Sequence, residues 1–209
     1  MKRRIPAGAI TKILCAYVRQ GETSKMIKNL LFIAVSIFLF ACSSMKVAEL
    51  DPKTGRFPTS VKATVVKSEK VDLDSMKALL LLPDQDFVKG QISNIKYFDQ
   101  TITIDDLETL IIKNNLTDKV PSVKDKIGIN KAYKAYKPFL WLRFDTRVEG
   151  AKTYGQLFLT NPETLEDIFI VEKYFDYAWA GVNDQNTWYP MFNAIVDYID
   201  ENSKTWSYQ

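Results

Sequence analysis

Apolar and polar residues change their period several times along this chain, and each change marks an element. Met76–Pro83 (MKALLLLP) is a short continuous apolar run stopped by proline. At that length it predicts a strand with Leu79–Leu82 in the middle of a sheet covered on both faces. From Thr103 the period becomes helical, with Ile104, Leu107, Leu110 and Ile111 on one stripe, a capping threonine before it and Asn114-Asn115 after it. Pro121 and Gly128 punctuate a loop, and Asn130–Lys137 predicts a second, shorter helix with Ala132, Tyr133 and Tyr136 facing inward. Phe139–Val148 then alternates strictly, Leu140, Leu142 and Phe144 against Trp141, Arg143, Asp145 and Arg147, as a half-buried strand does. Tyr154–Thr160 and Ile168–Val171 continue as strands around the turn Asn161-Pro162-Glu163-Thr164, giving an antiparallel meander. Cap formers at Asn183–Thr187, Pro190 in a first turn, and Phe192, Ile195, Val196 and Ile199 at helical spacing predict a last helix ending near Asn202. The fold class expected is α/β (α+β): a single mixed sheet with an antiparallel meander and helices packed on it.

A different apolar run stands ahead of all this. Met26–Lys46 reads MIKNLLFIAVSIFLFACSSMK, with Lys25 and Lys28 as a basic flank and small Ala41 directly before Cys42. The run is roughly a dozen residues, whereas a spanning helix needs about 20, so its layout is that of a secretory signal. Leu39-Phe40-Ala41-Cys42 resembles the lipobox of a bacterial lipoprotein signal. The resemblance implies cleavage before Cys42, lipidation (palmitate among the chains) of that cysteine, and residence at a membrane. Ser43 after the cysteine resembles the pattern exported to the outer membrane, with the chain facing the periplasm; an inner-membrane lipoprotein is the alternative. Because the signal is complete from Met26, residues 1–25 are expected to be a mis-assigned start.

The domain organisation expected is therefore a signal region over 1–41, a lipidated Cys42 with a flexible tether over 42–70, and one periplasmic α/β domain over 71–209. The tether is rich in Lys, Ser, Thr and Pro, with turn formers at Asp51-Pro52 and Lys53–Gly55, and its Val61–Val66 patch predicts an edge strand. As a free coil it would span about 30 Å.

Charge and composition matter once the signal is set aside. The whole chain holds 28 Lys and Arg against 25 Asp and Glu, net +3. Residues 1–41 carry seven of those bases and one acid, so the rest is net −3. That balance carries no nucleic-acid footprint. Histidine is absent, and Cys15 and Cys42 are the only cysteines. Histidine-activated nucleophiles, a disulfide framework and the usual zinc ligands fall away together, so no metal, cofactor or catalytic residue is assigned.

Element order and short motifs add a resemblance. LLLLP at 79–83, FLWLRF at 139–144 and the hairpin FLTNPETLEDIFIVE at 158–172 resemble the TolB amino-terminal-domain-like group of envelope lipoproteins. That group's hairpin turn is D-x-x-T-G-like, and this turn lacks its glycine. The resemblance implies the fold and an envelope setting, and it transfers no functional residue.

One stretch and three carboxylate pairs offer chemistry. Lys173–Pro190 crowds aromatic rings among amide and carboxylate groups, and Tyr174, Tyr177, Trp179, Asp184, Trp188 and Tyr189 are the candidate binding residues for an envelope protein or peptidoglycan partner. The same rings would otherwise complete the core between the last strand and the last helix. Carboxylate pairs, Asp145 with Glu149, Glu166 with Asp167, and Asp84 with Asp86, suit a glycan- or peptidoglycan-acting enzyme. Asp84-Gln85-Asp86 also stands at the carboxyl end of the first buried strand, where ligands sit in open α/β sheets. The function expected is a lipid-anchored envelope protein acting as a binding or accessory module, with the carboxylate enzyme as the alternative.

Overall fold

Six strands form one mixed sheet in the order β1-β6-β5-β4-β2-β3. They are β1 Thr64–Ser68, β2 Ala78–Leu82, β3 Gln100–Ile102, β4 Leu140–Glu149, β5 Lys152–Asn161 and β6 Glu166–Tyr174. The helices are α1 Asp86–Ile95, α2 Ile104–Lys113, α3 Lys126–Ala135 and α4 Tyr189–Asn202. This computed structural model describes residues 45–82, 84–177 and 182–206. Cys42 and Trp179 lie outside them.

β2 is parallel to β3 on one side and to β4 on the other, while β4, β5, β6 and β1 pair antiparallel. The expected meander is β4-β5-β6, and the Val61–Val66 patch leads into edge strand β1. β2 is covered on both faces as expected over Leu79–Leu81, with Leu79 and Leu81 in one core and Ala78 and Leu80 in the other, but Leu82 at its end is exposed. The first core holds α1 and α4 with Phe87, Ile92, Phe192 and Ile195. The second holds α2 and α3 with Leu107, Ile111, Ile129 and Ala132.

Local signals account for most boundaries. Thr103 caps α2 by a reciprocal box, its hydroxyl accepting from the Asp106 amide and the Asp106 carboxylate accepting from the Thr103 amide. α3 begins one turn earlier than the spacing predicts, because Asp125 caps it by accepting from the Gly128 amide at 2.7 Å. Asn183 accepts from the Asn186 amide at the start of a π-helical turn, Asp184–Trp188, which leads into α4.

The tether reading is corrected for residues 45–63, which lie against the domain. Leu50 and Phe57 are buried in the first core. Backbone groups of Lys46, Ala48 and Phe57 bond to Asp184, Tyr189, Gln91, Asn94 and Asn193. Arg56 bonds Asp197 on α4. A strap held at so many points has lost the freedom of a coil. α1 and β3 have no counterpart in the sequence reading, and Asp86 opens α1 with Gln85 at its cap.

Candidate binding sites

Among the described residues, the predicted aromatic cluster does not assemble on one surface. Trp188 and Tyr189 are 7% and 3% exposed and belong to the first core. Trp188 packs on Phe87, Phe144 and Phe192, and Tyr189 stacks on Phe57. The Tyr189 hydroxyl donates to the Lys46 carbonyl at 2.7 Å, and Asp184 accepts from the Lys46 amide at 3.2 Å. Burial, then the nearby Asp184 charge, raises the Tyr189 pKa. Tyr189 and Asp184 therefore hold the strap, and Trp188 fills the core beneath it. Tyr174 and Tyr177 are exposed, Tyr174 against Tyr154 and Tyr177 edge-on to buried Phe175. Among the described residues of the predicted set, these two have exposed rings.

Two of the six candidate carboxylates, Asp167 and Glu149, are engaged by arginines. Asp167 accepts from Arg143 at 2.6 Å and from Thr160 at 2.6 Å. Arg147 bridges Glu149 and Glu172, and its hydrogen bond and charge hold Glu149 below the usual carboxylate range. A carboxyl held ionised in this way is a poor general acid near neutral pH.

A second place is built by the sheet's topology. From β2 the chain passes to β3 through α1 on one face, then to β4 through α2 and α3 on the other. Strand order thus reverses between β2 and β4, and ligands of open α/β sheets collect at the carboxyl ends of such a pair. Here Leu82 ends β2 opposite Arg143, and β4 runs on beyond it. A cleft of about 550 Å³ opens at this point. Leu82, Ile104, Val123 and Ile129 give it an apolar lining, and Trp141, Arg143 and the start of α3 give it polar groups.

Arg143 is fixed in place there. Its Nε donates to Thr160 Oγ1 at 3.1 Å, its Nη2 to Asp167, and its guanidinium lies over the rings of Trp141 and Phe158 at 5.1 and 4.8 Å. Trp141 is 5% exposed and its indole Nε1 has no hydrogen-bond partner. An unmet buried donor of this kind costs about 1–3 kcal/mol. The expected cluster Asp84-Gln85-Asp86 does not line this cleft, since Gln85 and Asp86 start α1. The sequence placed its candidate carboxylates at the carboxyl end of β2, where this cleft opens, but the cleft is lined instead by Trp141 and Arg143, for which strand alternation was the available signal. Among the described residues no group of three or more His, Cys, Asp or Glu is placed to hold a metal ion, and no helix is long and apolar enough to cross a membrane. No protein-family model, curated protein or solved structure matches the chain.

Proposed function

We propose that this chain is a lipid-anchored cell-envelope protein, held in the outer membrane through Cys42 and facing the periplasm, whose α/β domain serves as a binding or accessory module for an envelope protein or peptidoglycan. The observation that carries the reading is the basic flank, short apolar run and Leu39-Phe40-Ala41-Cys42 in unbroken succession. Stable anchoring needs more than one acyl chain, which the lipoprotein resemblance implies. A TolB-like setting in the envelope fits the same reading. Binding is favoured over carboxylate catalysis because Asp167 and Glu149 are committed to arginine partners.

The docked strap sharpens the anchoring. Only Ser43, Ser44 and Met45 separate Cys42 from Lys46, a reach of at most about 14 Å in extended chain. A domain tethered so briefly works at the bilayer surface and captures partners within its immediate reach. Cys42→Ala should move the protein from the membrane pellet to the soluble fraction and abolish labelling by radioactive palmitate. Retention in the pellet would sink the anchoring. Crosslinking from position 177 in intact cells should give a defined envelope adduct that Tyr174→Ala weakens. Turnover of purified peptidoglycan that disappears on a single carboxylate substitution would replace the binding module with the enzyme.

A further inference from the structure

The cleft between β2 and β4 combines features that select a ligand by charge and shape. Its apolar lining, Leu82, Ile104, Val123 and Ile129, suits a hydrocarbon body, and its volume of about 550 Å³ falls in the range of small-molecule sites, roughly 300–1,000 Å³. Three cations meet there, Lys124, Lys126 and Arg143. Asp125, at the α3 cap, and Asp167, paired with Arg143, offset two of them. One positive charge is left over. The Asp125 side chain takes the Gly128 amide, while the amides of Lys126 and Ile127, in the first turn, have no acceptor within the helix. The helix dipole adds to the attraction for an anion there. The buried Trp141 indole, without an acceptor of its own, stands in the same wall.

From these groups we infer that the cleft is a ligand site for a small monocarboxylate with an apolar body. The carboxylate sits between the start of α3 and the Arg143–Trp141 edge, and the body lies on the aliphatic lining. A phosphate dianion is disfavoured, because a surplus of one charge leaves half of it uncompensated beside Asp125 and Asp167. A neutral apolar molecule leaves the lysines and the donors unused. The site stands whether or not Cys42 carries lipid, so this inference and the anchoring reading fail separately.

The test uses the full chain in dodecyl maltoside micelles, with ¹⁵N-indole-labelled tryptophan and two matched probes, 4-phenylbutyrate and 4-phenylbutanol. Trp141→Phe assigns the Trp141 indole resonance, and calorimetry of the unlabelled protein measures affinity independently. Phenylbutyrate should shift the Trp141 signal saturably, with an affinity that falls as salt rises. Phenylbutanol should bind at least about ten-fold more weakly, a difference on the scale of one charge-assisted contact. Lys124→Ala with Lys126→Ala, both exposed positions, should weaken phenylbutyrate by roughly five-fold while the spectrum stays folded. Equal binding of the alcohol, an unaltered affinity in the double variant, or no saturable heat and no shift at Trp141 would each overturn the site.

Discussion

Leu165 holds φ +64°, a left-handed conformation that costs a side-chain-bearing residue about 1–2 kcal/mol. It closes the β5–β6 turn, where its amide donates to the Asn161 carbonyl at 2.8 Å. A glycine would hold the same conformation without that cost, so the leucine leaves strain in the hairpin. Leu165→Gly should stabilise the protein by about 1 kcal/mol, read as a higher urea midpoint with unchanged slope. Gly128 shows the opposite constraint. A Cβ there would stand 2.0 Å from the Ser122 carbonyl oxygen, so Gly128→Ala should cost about 1–3 kcal/mol and loosen the α3 end that borders the cleft. The sequence reading placed this glycine in a loop, because close approach to a backbone carbonyl leaves no trace in spacing. Asp74 clamps the carboxyl-terminal segment. Ser203 and Thr205 hydroxyls, the Lys204 amide and the Lys77 ammonium hold its carboxyl well below the usual range. The folded state thus favours the ionised form, and the contribution is complete above the unfolded pKa near 3.9 and declines as pH falls below about 4. Asp74→Asn should lower stability at neutral pH and flatten its fall below about pH 4, as measured by urea unfolding across pH.

At the scale of elements, the strap and α1 depend on each other. Gly90 sits in the middle of α1, where a Cβ would come within 2.7 Å of Val47, so the glycine admits the strap at the expense of helix propensity. That weak propensity, with no side-chain cap at Gln85, is why α1 escaped a reading by pattern. β3 escaped because three residues at a sheet edge carry too little period. Asn193 secures the strap's other end, accepting from the Phe57 amide at 2.7 Å and donating to its carbonyl at 3.0 Å. Asn193→Ala should cost about 1–3 kcal/mol and speed amide exchange through residues 46–60 more than through β4–β6, measured by hydrogen exchange with mass spectrometry. Faster exchange spread evenly over the sheet would show that the strap opens only with the whole domain.

For the whole molecule, the sheet divides the apolar residues into two cores, and its strand order sets a cleft where the connections part. Helical and alternating periods, caps and turn residues are local, and by themselves they specify α2, α4, β2 and the β4-β5-β6 meander. The signal-like run ahead of Cys42 is equally local, because a short apolar stretch with its flanks is read in order along the chain. What tertiary structure decided is contact between residues far apart in sequence. The strap's capture joins Lys46 and Phe57 to partners more than 130 residues away, Asp184 and Asn193. Trp188 and Tyr189 became core rather than surface because the π-helical turn and the start of α4 lay them against Phe57, Phe87 and Phe144. Trp141 and Arg143 became neighbours of Leu82 and the α3 start only through parallel pairing of β2 with β4. Periodicity shows which residues share a face of one element; which faces meet depends on burial and hydrogen bonding across the fold.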